Sequence, residues 1–282
     1  KSNKKNVQAQ LDGVSKAISS IAVKMEEDIK KDTDYDEEKK KVITALGIKN
    51  ILIDGIEINK QENRYFIDVY LSEDSKTSEN IEVDKIQKVL EKSLNEKLMK
   101  NDVKNKKSSK QGKRVYSYLS ADKYIIQIGQ ATKIKNDSPV SGDSLLQIRL
   151  NDGKYLLAIS DGMGSGPNAR KSSKIAVQML KRLLISGFNK ETSLDMINSS
   201  MCLNSEDDSY ATLDIAIFDL YEGNVEFIKN GASPTYIKNR RHVDVIKNIT
   251  LPAGILNNIE LKISDRDIEE NEILVMCSDG IA

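Results

Sequence analysis

Two aspartates stand directly after apolar runs of the kind that form buried strands. Residues 155–159 lead into Ser-Asp-Gly at Asp161, and residues 273–277 lead into the same tripeptide at Asp279. Each run is short and aliphatic and is followed by a turn-forming glycine, which predicts a buried strand that ends at its aspartate. A single Asp-Gly pair often does no more than begin a turn, so that alternative stays open for each pair on its own.

A third aspartate joins this pattern. Asp143 begins the run 144–150, and Asn-Asp-Gly at 151–153 predicts a tight hairpin into the run before Asp161. We therefore expect the carboxylates of Asp143, Asp161 and Asp279 to meet at one edge of a sheet. Clustered carboxylates without basic partners repel one another, and a hard divalent cation such as Mg²⁺ or Mn²⁺ relieves that repulsion.

Glycines follow two of these aspartates and also form a loop. Gly162 and Gly280 have no side chain to keep a backbone carbonyl away from an ion, so either carbonyl can complete an oxygen shell. Residues 161–167 contain three alternating glycines before Pro167, which suits the first turn of a helix. A nucleotide-phosphate loop is a weaker interpretation, because the spacing is not GxGxxG, no Lys-Ser/Thr pair follows, and Asp161 would repel a phosphate.

Composition narrows the functional classes. The chain has 282 residues, 39% of them hydrophobic, and its 43 basic and 43 acidic side chains cancel, so it can bury a core and has no overall charge that favours nucleic acid. No apolar run approaches the roughly 20 residues that a membrane helix needs, and no signal peptide opens the chain. Cys202 and Cys277 form no disulfide framework, and the one histidine, His242, lies in a polar loop. These features predict a cytoplasmic chain without serine-histidine catalysis.

The first part of the chain divides into three predicted segments. Residues 1–31 are predicted to form a long amphipathic helix that packs on its own domain, pairs with a second copy or transmits a signal. Its apolar seam consists of Val7, Leu11, Val14, Ile18, Ile21 and Met25. Residues 32–100 form a small α+β module of a helix, two strands and a helix. Residues 101–114 form a basic linker.

Residues 115–282 form the last and largest segment. Strands are predicted at 124–130, 145–150, 154–159, 212–220 and 225–229, and a helix at 167–184. Closely spaced strands interrupted by a helix indicate packed antiparallel sheets covered by helices, which is an α+β fold. Thr212 and Asp214 are expected to be structural residues of a strand.

Six short motifs follow one another in the order seen in metal-dependent protein phosphatases of the PPM (2C) type. They are Val-Ser-Gly-Asp at 140–143, Ala-Ile-Ser-Asp-Gly-Met-Gly-Ser-Gly at 158–166, Ala-Thr-Leu-Asp at 211–214, Asn-Gly-Ala-Ser-Pro at 230–234, Leu-Pro-Ala-Gly-Ile at 251–255 and Ser-Asp-Gly at 278–280. Residues 115–282 resemble this family, and most closely its sporulation phosphatases from endospore-forming bacteria. The part before them resembles the regulatory region of those phosphatases.

The resemblance implies an α-β-β-α sandwich that binds two Mn²⁺ or Mg²⁺ ions. Asp161 would bridge both ions. Asp143 and the Gly162 carbonyl would bind one ion, and Asp279 would bind the other. In such a centre the ions lower the pKa of a shared water molecule for in-line attack on phosphorus, so that no protein nucleophile is needed.

The resemblance also implies a substrate and partners. The expected substrate is a phosphoserine protein, the phosphorylated anti-anti-sigma factor, whose dephosphorylation leads to activation of a sigma factor during sporulation. Control by homodimerisation and by a helical switch is expected, and the apolar seam of residues 7–25 is the place to look for it. The parent protein is expected to carry membrane spans and a contact site for a cell-division protein upstream, and no nucleic acid is expected as a partner.

The sequence departs from the family pattern at its end. It stops at Ala282, shortly after Asp279, where the family continues to another metal-binding aspartate. We therefore expect a C-terminally incomplete phosphatase domain with one incomplete metal site and an open sheet edge. Two functions stay open on the sequence: an active serine phosphoprotein phosphatase, and a regulatory or dimerisation fragment without catalysis.

Overall fold

The structure of the protein, a computed structural model, describes most of the chain beyond residue 35. The described residues are 15, 19, 35–61, 63–72, 79–102, 105, 115–134, 139–164, 166–203, 210–248, 250–256 and 262–281. The predicted helix over residues 1–31 and the predicted linker at 101–114 lie almost entirely outside these ranges. Among the described residues no helix is long and apolar enough to cross a membrane.

Helices and strands alternate along the described chain. In order they are α1 (Asp36–Ile48), β1 (Ile53–Gln61), β2 (Arg64–Leu71), α2 (Glu79–Leu94), β3 (Leu98–Lys100), β4 (Val115–Ser120), β5 (Asp143–Arg149), β6 (Tyr155–Asp161), α3 (Gly166–Ile185), α4 (Lys190–Leu203), β7 (Leu213–Asp219), β8 (Asn224–Asn230), β9 (Thr235–Lys238), β10 (Val243–Ile246), β11 (Ile263–Asp267) and β12 (Ile273–Val275). The predicted α+β fold class is confirmed.

The first four strands form an antiparallel sheet in the order β1-β2-β4-β3. Helices α1 and α2 pack on it through buried side chains such as Leu46, Ile86 and Leu90. The helix, two strands and helix predicted over residues 32–100 are therefore all present. The last segment is predicted to begin at Val115. In the structure β4 (Val115–Ser120) pairs with β2 and β3, so this strand completes the first sheet instead.

The remaining strands form two sheets that share an apolar layer. The larger sheet is antiparallel with the order β11-β8-β7-β6-β5, and the smaller has the order β10-β9-β12. One face of the larger sheet packs on α3 and α4, with Leu156, Leu180 and Leu194 in the contact. Its other face contributes Phe227 to a second core, which Ile237 of β9 joins from the smaller sheet. The described residues thus form layers of helix, sheet and sheet.

Two predicted strands differ from the structure. Residues 124–130 form no strand, although Tyr124 and Ile126 pack on the core while Ile125 is 93% exposed. Apolar residues alternate in this segment because one side of the chain packs on the core, but the backbone does not pair with a neighbouring strand. The run 273–277 is predicted to form a buried strand, but β12 ends at Val275, and Ile273 and Val275 are exposed, because β12 is the edge strand of a small sheet.

A buried arginine links the first sheet to the β5–β6 hairpin. Arg64 of β2 is 4% exposed and donates from Nη2 to the Ser120 carbonyl at 2.9 Å and to Asp122 Oδ1 at 2.7 Å. Arg149 of β5 forms an ion pair with the other oxygen of the same carboxylate. The Tyr221 ring lies 5.4 Å from the Arg64 guanidinium carbon. Asp122 therefore connects the two parts of the molecule through two arginines.

We expect Arg64→Met to lower the free energy of unfolding by about 2–3 kcal/mol, because it removes charge-assisted hydrogen bonds from a buried site while Asp122 keeps Arg149. Urea denaturation followed by circular dichroism measures this change. The matched control is Lys100→Met, which removes an exposed pair with Asp84 and should leave the midpoint unchanged. Equal midpoints for the two variants would show that Arg64 does not stabilise the junction.

Candidate metal centre

The β5–β6 hairpin places two of the predicted aspartates opposite each other. Asp143 is the first residue of β5 and Asp161 the last of β6, and the register pairs them directly. The turn between the strands includes Gly153 at φ 81°, a conformation that glycine adopts without strain. Because antiparallel strands bring the start of one beside the end of the next, the predicted hairpin places both carboxylates at one edge.

The third aspartate reaches this edge from the other sheet. Asp279 follows β12, which pairs with β9 and not with β5, so the expected meeting at the edge of one sheet is corrected to a meeting between two sheets. Ser278 Oγ donates to Asp143 Oδ2 at 3.0 Å and so fixes this approach.

Like charges of neighbouring carboxyl groups act on Asp161 at the centre of the cluster. Burial, together with the neighbouring charges and hydrogen bonds of Asp143 and Asp279, raises the pKa of Asp161 to about 7. Among the described residues no three acidic, histidine or cysteine side chains already stand as a ligand set, since these carboxyl groups are directed at one another. The donors are all carboxylate oxygens, and Asp161 and Asp279 line a cavity, which fits a hard divalent cation such as Mg²⁺ or Mn²⁺.

The backbone of Asp161 is held on both sides by one threonine. The Asp161 N–H donates to Thr212 Oγ1 at 2.9 Å, and the Thr212 N–H donates to the Asp161 carbonyl at 2.8 Å. Thr212 is thus a structural residue, as the strand pattern indicates, but its structural role is to hold the central carboxylate. The motif at 211–214 belongs to the site for this reason.

Gly162 lies where no other residue fits. It bridges to Ala211, and Ala211 bridges in turn to Ala253 of the 251–255 motif. A Cβ added to Gly162 would lie 1.8 Å from the carbonyl oxygen of Ala169 in α3. The helix therefore packs directly on the glycine backbone, and the loop at 161–167 is a close contact between strand and helix.

Helix α3 also holds the loop before β5. Ser173 Oγ donates to the Gly142 carbonyl, and Arg170 donates to the carbonyl of Asp143. A Cβ on Gly142 would stand 3.2 Å from Asp161 Oδ1. Small residues and backbone hydrogen bonds from one helix thus bring Asp143 and Asp161 together.

Of the other residues that the sequence singles out, one lines the cavity and two lie away from it. Cys277 is buried and lines the cavity beside Asp279, whereas Gly280 is exposed and has open space around its Cα. His242 is exposed and pairs with Asp244, at a distance of 3.3 Å, on the β9–β10 turn. The histidine therefore has no place in the site, as its loop position predicts.

The sequence predictions do not include one buried lysine that contacts two residues of the cavity lining. Lys229 is fully buried and donates to Asp214 Oδ1 at 2.7 Å. Burial raises the pKa of the Asp214 carboxyl, and Lys229 and Thr235 oppose that rise by hydrogen bonding to its charged form. The signal was present in the period-two pattern of β8, where Lys229 continues the inward positions of Val225 and Phe227.

Several known proteins are similar to this chain in sequence and in fold. Residues 151–282 match the family model of stage II sporulation protein E (SpoIIE). That part of the chain is similar to the SpoIIE family. The chain is 38% identical over 181 residues to stage II sporulation protein E of Priestia megaterium, an alignment that covers 64% of this chain and 31% of that protein. It is 35% identical over 169 residues to the Bacillus subtilis protein, covering 59% of this chain and 20% of that protein. The chain therefore spans a third or less of these SpoIIE proteins.

A solved SpoIIE structure has the same fold over nearly the whole chain. It contains the PP2C phosphatase domain and a fragment of the regulatory domain of SpoIIE from Bacillus subtilis, with a TM-score of 0.66 and 26% identity over 99% of this chain and 80% of that one. The predicted recognition of a PPM-type phosphatase of the sporulation branch is confirmed. PP2C-type phosphatases are metal-dependent, which agrees with the oxygen donors of this SpoIIE-type domain.

We expect Gly162→Ala to destabilise the SpoIIE-type domain by at least about 3 kcal/mol, because the added methyl overlaps the backbone of α3 and packed interiors tolerate such overlap poorly. Thermal unfolding measures the loss. Gly280→Ala is the matched control, since that glycine also follows an aspartate but has no atom within 4 Å of an added Cβ. A Gly162→Ala variant as stable as the control would contradict the close contact.

Proposed function

We propose that this chain is a metal-dependent protein-serine phosphatase of the SpoIIE type. The observation that carries the proposal is the contact of the Asp161 carboxyl group with those of Asp143 and Asp279, which come from two sheets. Asp161 and Asp279 line one cavity, in the part of the chain that matches the SpoIIE family model. Three carboxyl groups held this close together repel one another, and bound cations relieve that repulsion. The likeness to SpoIIE phosphatase domains supports phosphate hydrolysis as the reaction that those cations would assist.

The site residues have distinct proposed roles. Asp161 would bridge two Mn²⁺ or Mg²⁺ ions, Asp143 and the Gly162 carbonyl would bind one of them, and Asp279 would bind the other. Bound ions of this kind activate water and neutralise the charge on a transferring phosphoryl group. The chain supplies the positions: Thr212 fixes the Asp161 backbone, and Ser278 orients the Asp143 carboxylate.

The proposed substrate is a phosphoserine protein. The resemblance of the sequence to sporulation phosphatases implies the phosphorylated anti-anti-sigma factor, whose dephosphorylation would lead to sigma factor activation; the relatives are named as sporulation proteins. An exposed edge between two sheets, with Met163 57% exposed on the loop beside Asp161, leaves room for a protein surface to approach. Contact with a cell-division protein is proposed for the region of the parent that lies upstream of this sequence.

We expect Asp161→Asn to abolish Mn²⁺-dependent phosphate release from a phosphoserine-bearing anti-anti-sigma domain, because it removes the shared anionic ligand. Phosphate release is measured for the unaltered chain with Mn²⁺ and then with a chelator, which should stop it. Asp265→Asn is the control, since Asp265 is an exposed residue of β11 away from the cavity. Full activity in Asp161→Asn would remove the bridging role, and no release from the unaltered chain would favour the regulatory or dimerisation fragment.

We propose in addition that two copies of the chain form a homodimer through the apolar seam of residues 7–25. Replacing an apolar seam residue by a charge, as in Ile18→Glu, should raise the dimer dissociation constant at least about tenfold, since a charge is costly to bury in a helix pair. Sedimentation equilibrium measures this constant. Lys16→Glu changes charge off the seam and is the control; a seam variant that sediments like this control would overturn the dimer.

A further inference from the structure

The ammonium group of Lys229 is buried and fully hydrogen-bonded beside the proposed metal centre. Lys229 is 0% exposed, and its Nζ donates to Asp214 Oδ1, to the Ser233 carbonyl and to Thr235 Oγ1, each at 2.7 Å. An ammonium has three protons to donate, so every one is used. The side chain is therefore fixed in one position.

Two of the groups that Lys229 holds also line the cavity. Asp214 and Ser233 are cavity residues together with Asp161 and Asp279. Thr235 Oγ1 donates to Asp214 Oδ2 at 3.1 Å, so both oxygens of this carboxylate are engaged. Asp214 is thus a fourth aspartate of this neighbourhood, but it differs from the other three in having a cationic partner.

Packing alone does not explain this lysine. A buried ion pair loses much of its attraction to the cost of desolvation, and apolar side chains of similar volume are often as stable or more so. The rest of the inward face of β8 is apolar, with Val225 and Phe227 in the core between the sheets. A charge at the one inward position next to the cavity therefore points to an electrostatic role there.

We propose that Lys229 is a positioning residue that acts as a built-in counterion: it neutralises Asp214 and holds the Ser233 loop, so that divalent cations bind at Asp143, Asp161 and Asp279 and not at Asp214. The inference rests on the proposed function, because it concerns the ions of that centre. Lys229 thereby controls where cations bind, because its ammonium group keeps the Asp214 carboxylate from acting as a metal ligand.

Opposite charge changes on the pair give a specific test. Lys229→Met leaves Asp214 without its cation, and Mn²⁺ should then bind about tenfold more tightly or at one additional site. Asp214→Asn leaves the ammonium without its anion, and Mn²⁺ should bind about tenfold more weakly. Isothermal titration of Mn²⁺ into the full chain measures both without reference to activity. A purely structural pair would weaken binding in both variants, and that result would overturn the proposal.

The double variant Lys229→Met/Asp214→Asn removes both charges and should return the Mn²⁺ dissociation constant to within about threefold of the unaltered chain. If Lys229→Met alone does not fold, the comparison of Asp214→Asn with the double variant still isolates the ammonium, and equal affinities there would overturn its role. Lys190→Met is the matched control, because it removes a lysine that pairs with Glu226 of the same strand away from the cavity. Its Mn²⁺ affinity should not change.

Failure of the inference is distinguishable from failure of the proposed function. If Mn²⁺ binds to the unaltered chain and is lost in Asp161→Asn, the proposed centre stands, whatever the Lys229 variants show. If the unaltered chain binds no Mn²⁺, the proposed centre is wrong, and the counterion role falls with it.

Discussion

Mutual repulsion among the carboxylates of Asp143, Asp161 and Asp279 is the constraint on which the rest of the site depends. Nothing in an isolated hairpin would keep Asp143 opposite Asp161, because two like charges across a strand pair are destabilising. The register holds them there since the apolar residues of β5 and β6 alternate toward α3, and a slip of one residue would turn that face to solvent. Hydrophobic burial along the hairpin thus overcomes the repulsion at its end.

The surrounding motifs act as supports for this unfavourable arrangement. Thr212 holds the Asp161 backbone, Gly162 admits the backbone of α3, and Ser278 donates to Asp143. Each support acts through a backbone group or a small side chain, which is why the motifs are rich in glycine, serine and alanine. A site of this kind is positioned by rigid elements, and its side chains stay available for a ligand.

The charged side chains at and beside the cavity fall into two groups, one neutralised within the protein and one not. Lys229 and Asp214 neutralise each other inside the protein, with every ammonium proton donated and both carboxylate oxygens engaged. Among the described residues, the other three aspartate side chains interact with one another and with the hydroxyl of Ser278. Since like charges at short distance repel, the first group is stable without an ion, whereas cations from solution would stabilise the second.

The sequence by itself determined the carboxylates, the hairpin between Asp143 and Asp161, helix α3 and the family, because these follow from local patterns of two or three residues and from motif order. Only the tertiary structure decided that Asp279 arrives from a second sheet, that β4 completes the first sheet, and that residues 124–130 form no strand. Lys229 was hidden for the same reason: strand pairing and burial depend on residues distant in sequence, and a lysine in a strand is recognised as an internal counterion only when Asp214 and Ser233 are brought to it.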